Sequence, residues 1–228
     1  MKKLVTSSIL LCLLISCSTD SDVNTPESYD VTPVSNDISF PENKANPLDY
    51  KGKLYYDALI TYEQQNQFPN SIKEASSQLR FISSKFQNSP ATNKSIIPFT
   101  DEIVASIMAD PDNSMILIVE NSSLSSEAKS SLITFLQALI IHRESEFTIA
   151  YDYIVAYENT IIQSTTWSQD DRDTILTVSS ISRYSLYSES ERKDRDWETS
   201  AGNKSVKPFF SKNEVAVISI IVLLEEII

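Results

Sequence analysis

Glycine is nearly missing from this chain: only Gly52 and Gly202 occur among 228 residues. The favoured hairpin turns and the loops that wrap phosphates both need residues at positive φ. The scarcity therefore argues against an all-β fold and against a nucleotide-binding loop. Cysteine is just as scarce, and both copies, Cys12 and Cys17, lie in the first 17 residues. The rest of the chain has no disulfide framework and no thiolate metal site, so its stability must come from a hydrophobic core. His142 is the one histidine. A multi-histidine zinc centre is excluded, and any Ser-His-Asp arrangement would have to use that residue. No Gly-x-Ser-x-Gly elbow occurs. Positive charge is also in short supply: 19 Lys and Arg stand against 31 Asp and Glu, a net charge of −12. Such a chain repels phosphate backbones, and no basic patch interleaved with aromatics appears, which speaks against a nucleic-acid partner.

What is present begins at the amino terminus. Lys2 and Lys3 precede an apolar stretch over residues 4–15 that Thr6, Ser7 and Ser8 dilute. A bilayer-spanning helix needs roughly 20 apolar residues, so this segment reads as a signal and not as a permanent span. It closes in Leu14-Ile15-Ser16-Cys17, which resembles the lipobox of bacterial lipoproteins. The resemblance implies that residues 1–16 are a signal peptide. It also implies that Cys17 becomes the new amino terminus, acylated through its thiol with a fatty acid such as palmitate. The bilayer is then a partner through that lipid. Burying acyl chains contributes about 0.8 kcal/mol per CH2, and more than one chain makes attachment stable. Ser18-Thr19-Asp20-Ser21-Asp22 follows. It resembles the acidic export tag of Bacteroidota-type lipoproteins, which implies the outer membrane and the cell surface; a plain polar tether is the alternative. Cleavage removes two lysines and no acid, leaving 17 basic against 31 acidic residues and a net charge of −14.

Residues 17–45 carry Ser, Thr, Asp, Asn and Pro with few large apolar side chains, the composition of a disordered, acylated tether. A domain is expected over residues 46–228. Leu48, Gly52, Tyr55, Leu59 and Tyr62 recur at helical spacing. Ser71 and Glu74 form a capping box ahead of Ile72, Ala75, Leu79, Ile82 and Phe86. Residues 88–94 read as a loop, a short helix follows to Ala109, and Asp110-Pro111-Asp112-Asn113 reads as a turn. Residues 115–119 are apolar without clear period; with no partner strand in sight they are read as a short helix. Leu124, Ala128, Leu132, Phe135, Leu139 and His142 share one helical face, and Phe147, Tyr151, Ile154, Glu158 and Ile161 share another. No Gly or Pro separates these two rows, which leaves one long helix kinked near Arg143 as an option. Ser168 and Asp171 cap a helix lined by Ile175, Val178, Ile181 and Tyr184, and the charged run from 189 to 198 reads as its exposed end or a loop. Residues 215–228 are apolar apart from Ser219, Glu225 and Glu226. Their cap at Ser211 and Glu214 favours helix and their β-branched residues suit a strand. The sum is an all-α domain, an irregular bundle of about six or seven helices.

Candidate chemistry is thin. His142 fits a helix end, where the dipole favours it. Asp170, Asp171 and Asp173 suit a helix start, and neither they nor Asp110 and Asp112 match a calcium loop. Tyr151, Tyr153 and Tyr157, with Trp167 nearby, are candidates for an aromatic binding face, although core packing is the commoner use of such residues. Asp173-Thr174-Ile175 has the form of a short O-glycosylation motif. No residue is nominated as catalytic, as a metal ligand or as a cofactor ligand.

Asn46-Pro47-Leu48-Asp49-Tyr50-Lys51-Gly52 and Arg183-Tyr184-Ser185-Leu186-Tyr187, with Trp197 beyond, resemble landmarks of a group of small uncharacterised Bacteroidota lipoproteins. The group implies no activity. The expectation is an envelope lipoprotein acting as a binding or interaction module, its protein or glycan partner unknown. A glycan-acting enzyme with paired carboxylates and a toxin-neutralising self-protection protein are the alternatives.

Overall fold

The computed structural model describes residues 40–86, 100–143 and 145–199, with side chains to residue 193. The signal segment, Cys17, the acidic run after it, the loop at 88–94 and the apolar segment 215–228 lie outside the described residues. Seven helices and no strand are found among those described, so the domain is all-α as expected. They are α1 (Asp49–Gln65), α2 (Ile72–Phe86), α3 (Asp101–Ala109), α4 (Pro111–Glu120), α5 (Ser126–His142), α6 (Phe147–Gln163) and α7 (Gln169–Thr199).

The helix starts are set by short polar side chains, as a chain with so little glycine requires. Ser71 Oγ accepts from the Glu74 amide at 3.3 Å, and the Glu74 carboxylate reaches back to the Asn70 amide at 2.8 Å. Thr100 caps α3 on Ile103, and Ser125 caps α5 on Ala128, both at 3.3 Å. Asp110 ends α3 and caps α4, where Pro111 takes the first helical position. Proline is pre-organised there, since its missing N–H would have no intrahelical partner. The expected turn thus shrinks to Asp110 alone, and 111–113 already belong to α4.

Each helix packs on the next along the chain, and α7 lies against α1, α5 and α6. The expected core residues Leu79, Ile82, Leu132, Phe135, Leu139, Ile154 and Ile161 are all buried. The row on α5 and the row on α6 do not form one helix. The chain reverses between the end of α5 and the start of α6, where Ser145 N–H bonds the His142 carbonyl at 2.9 Å and Glu146 is extended. Arg143 is held there by Asp112 through bonds of 2.7 and 3.2 Å. Reversal brings Phe135 onto Tyr153 and Tyr157; a continuous helix would have left these rings in water.

α7 departs furthest from its amphipathic reading. Every residue from 174 to 186 is buried, although the stretch holds Thr174, Thr177, Ser179, Ser180, Ser182, Arg183 and Ser185. Small hydroxylated side chains let neighbouring helices approach closely, and several return their protons to nearby carbonyls. Ser182 bonds Val178 at 2.8 Å and Ser179 bonds Leu176 at 3.1 Å. The charged run does not fall into a loop: the helix continues to Thr199, and Glu189 is buried beside Lys193 at 3.1 Å.

α1 approaches α7 closely at Gly52, whose N–H donates to Ser180 Oγ at 3.1 Å. A Cβ on Gly52 would stand 2.3 Å from Ser180 Oγ, 2.4 Å from Tyr184 Cδ2 and 2.7 Å from the Ser180 carbonyl oxygen. Two effects oppose each other in Gly52→Ala. Helix propensity favours alanine by about 1 kcal/mol. Overpacking against a backbone carbonyl and a buried ring costs up to about 3 kcal/mol and exceeds that gain. Gly52→Ala is therefore expected to lower the melting temperature by several degrees, whereas an unchanged or higher value in a thermal scan would refute the close approach.

Candidate functional site

Two places in the domain gather polar chemistry. The first is buried. Arg183 projects from the middle of α7 with its side chain fully covered. Its Nη2 lies 2.7 Å from Asp49 Oδ1 on α1 and 3.1 Å from Glu158 Oε1 on α6. Its Nη1 donates to the Pro41 carbonyl oxygen. Glu158 also accepts from Asn43 Nδ2 at 2.6 Å, Asn46 Nδ2 at 2.8 Å and Ser179 Oγ at 3.1 Å. Asp49 accepts further from the Asn43 amide at 3.1 Å and from the Tyr184 hydroxyl at 3.0 Å. Both carboxylates are thus saturated with donors.

Residues 40–46 form a strap over this cluster. Asn43 and Asn46 make turns with their own backbone, Asn43 Oδ1 accepting from the Ala45 amide and Asn46 Oδ1 from the Leu48 amide. The same two side chains turn their amides inward to Glu158. Tyr151 OH donates to the Glu42 carbonyl at 2.9 Å, and Phe40 rests against Tyr184 and Tyr187 with centroids 6.3 and 6.0 Å apart. The packed domain therefore takes in residues 40–45, which composition alone assigns to the tether. The two landmark stretches meet here as well: Asp49 bonds Arg183 and Tyr184, and Gly52 lies against the Tyr184 ring.

The second place is open. A hollow of about 570 Å³ lies between α5 and α6. α5 supplies its rim from Ser126, Glu127, Ser130, Ser131 and Thr134; its floor is Phe135 with Tyr153 and Tyr157 from α6. The rings are nearly parallel, Phe135 standing 4.3 Å from Tyr157 at 15° and 5.7 Å from Tyr153 at 8°. Tyr157 and Ser131 hydroxyls bond each other at 3.0 Å, and Tyr153 OH donates to the Phe135 carbonyl at 3.3 Å. Burial pushes both phenols up from the ordinary value, Tyr157 more strongly despite its bond to Ser131.

The residues singled out by sequence are dispersed. His142 ends α5 with its ring 4.7 Å from that of Tyr153 and outside the lining of the hollow. Tyr151 faces the strap, so the expected aromatic face is divided: Tyr153 and Tyr157 look onto α5, and Trp167 packs on the core. Asp110 caps α4 and Asp112 pairs with Arg143. Asp171 staples α7 to the start of α5, its carboxylate accepting from the Ser125 amide at 3.0 Å. Burial works to raise its pKa, but the bonds from Ser125 and Ser168 outweigh it and hold it below the ordinary carboxylate value. Asp173 accepts from Gln169 at 2.6 Å. Thr174 is buried inside α7, closed to a glycosylating enzyme in the folded domain. Among the described residues no group of three or more His, Cys, Asp or Glu is placed to hold a metal ion. No described helix is long and apolar enough to cross a membrane. Asn43, Asn46 and Arg183 carry no local pattern that marks them as a unit; the one signal is Glu158, a carboxylate standing in the apolar row of α6. Comparison with family models, with curated proteins and with solved structures finds no match to this chain.

Two predictions follow from the buried cluster. Arg183→Met leaves two covered carboxylates without a cation. Breaking a buried pair from one side costs about 3–5 kcal/mol, and chemical denaturation should read a loss of that size. A loss below about 1 kcal/mol, the level of an exposed pair, would contradict the burial. The second concerns alkaline pH. Burial, then the charge of Asp49 and the bond donated to it, raise the Tyr184 pKa above its ordinary value of 10.0, against the opposing pull of Arg183. In the unfolded chain the phenol ionises near pH 10. Above that pH the unfolded state binds fewer protons than the folded one, so stability is full below about pH 10 and falls as pH rises further. Tyr157 acts in the same direction. Tyr184→Phe should flatten this fall in melting temperature between pH 9 and 11; an identical slope in wild type and variant would refute it.

Proposed function

We propose that this chain is a lipid-anchored envelope protein whose helical domain works as a binding module displayed at the cell surface of a Bacteroidota-type bacterium. The anchor is supported by Leu14-Ile15-Ser16-Cys17 after a short apolar run, and display by Asp20 and Asp22 directly behind it. The observation that carries the binding role is the open hollow on α5 and α6, with aromatic rings below and hydroxyl groups at its edge. The glycan-acting enzyme would need two carboxylates facing each other across an accessible cleft. Among the described residues Asp49 and Glu158 converge, but they are covered and bonded to Arg183. The hollow holds a single carboxylate, Glu127. This distribution favours recognition over hydrolysis.

Metabolic labelling with a palmitate probe, together with protease treatment of intact cells, tests the anchor and its orientation. Wild type should carry the label and lose its domain to external protease, and Cys17→Ser should lose the label. Equal labelling of both proteins would remove the lipid anchor. Full protection of the wild type in intact cells, with digestion after lysis, would remove surface display.

A further inference from the structure

The α5–α6 hollow also carries information about its ligand, in an argument that rests on the binding role proposed above. Its lining contains no Lys, Arg or His. The nearest cation along α5, Lys129, is held on the Glu120 carbonyl at 2.9 Å. Glu127 contributes a negative charge, and the whole chain is strongly acidic. A phosphate, sulfate or carboxylate ligand would enter against this field with nothing to pair with.

Several of the hydroxyl protons in the lining are already committed. Thr134 Oγ1 donates to the Ser130 carbonyl at 2.9 Å, Tyr153 OH to the Phe135 carbonyl, and one proton is shared between Ser131 and Tyr157. What these oxygens keep is lone pairs, and Glu127 adds two acceptor oxygens. The exposed Ser126 and Ser130 hydroxyls can still donate, but acceptors outnumber donors along the rim, which suits a ligand rich in hydroxyl groups. From Ser126 to Thr134 the acceptors run along two turns of α5, about 12 Å, beside parallel rings whose faces suit C–H-rich surfaces. The mouth is wide and the volume exceeds what one small ring would fill. We infer that this hollow binds a neutral saccharide chain, its hydroxyl groups donating to the α5 rim and its ring faces lying on Tyr153 and Tyr157. Many weak donors on a stiff apolar-faced ring meet all three conditions of charge, donor balance and shape.

Affinity electrophoresis of the chain from Ser18 onward, in native gels cast with laminarin, xylan, galactomannan or amylopectin, provides the test. Polygalacturonate serves as the anionic control and tetramethylammonium as a soluble cationic competitor. Ser130→Trp and Thr134→Trp fill the hollow from exposed positions on α5, and their melting temperatures report whether the fold survives. The expected result is retardation in at least one neutral polymer, none in polygalacturonate, and affinity weakened at least about tenfold in both variants with melting temperatures unchanged. Absence of retardation in all four neutral gels would overturn the inference. So would retardation that both variants retain, binding to polygalacturonate, or displacement of the polymer by tetramethylammonium. If a variant melts early, Ser130→Arg replaces it under the same criteria. Failure here leaves the palmitate and protease results standing, so the saccharide assignment and the lipoprotein reading fail separately.

Discussion

The guanidinium of Arg183 is the point on which the rest of the domain depends. It stands on a helix buried from every side and joins a carboxylate on α1 to a carboxylate on α6. Removing three charges from water costs several kcal/mol for each ion, and Coulomb attraction repays this only with good geometry and further hydrogen bonds. The serine-rich character of α7 supplies those bonds. Ser179 reaches Glu158, Ser180 reaches the Asp49 carbonyl at 3.1 Å, and neither carries bulk that would push the partner helices away. Gly52 completes the arrangement from the other side. With any larger residue there, α1 would stand off and Asp49 would lose its reach to Arg183. A purely apolar α7 of equal volume would hold three helices together as firmly, but would not dictate which turn of α1 meets which turn of α7. The ionic cluster does dictate it, since Asp49 and Tyr184 satisfy each other in one register only.

The strap over residues 40–46 follows from the same constraint. Two of the donors that saturate Glu158 come from Asn43 and Asn46, and one acceptor for Arg183 is the Pro41 carbonyl. Without the strap these groups would face water through an opening in the bundle. The entry of the polypeptide into the domain is thus built into the centre of the core. If Cys17 is acylated, the segment running from the lipid ends at a residue packed against the central helix, so a pull on the tether is felt first by buried polar bonds.

Sequence patterns disclosed the helices well, because their signals are local. The capping residues Ser71 and Ser168, and the apolar rows of α2, α5 and α6, depend on spacing alone. Three features were not legible. The reversal after His142 has no glycine or proline; it is set by Arg143 binding Asp112 and by the stacking of Phe135 on α6, both tertiary contacts. α7 defeats the amphipathic criterion because its burial is all-round and much of what it buries is small hydroxylated side chains, some bonded to their own helix and some to α1 and α6, so the hydrophobic pattern carries no record of how deep it lies. The strap looks like linker because asparagine and proline are what linkers contain; its order comes from partners more than 100 residues away in sequence. Of the open hollow, only Tyr153 and Tyr157 were foreseeable. Its rim depends on the antiparallel pairing of α5 and α6, which the option of one long helix obscured.

The buried cluster and the open hollow share α6. Glu158 points toward α7 from the position next to Tyr157, which points toward α5. Locking Glu158 with four donors fixes the rotation of α6 about its axis, and that rotation sets where the rings of Tyr153 and Tyr157 face. The α5 side is fixed independently, because Asp171 of α7 holds the amide of Ser125 at the helix start. Both walls of the hollow are therefore referred to one central helix. Recognition by weak contacts needs such rigidity, since a shallow site cannot spare the entropy of ordering its own walls when a ligand arrives. In this domain the costly polar interactions lie in the core, and the surface they position is free of charge pairing and exposes rings and acceptor oxygens.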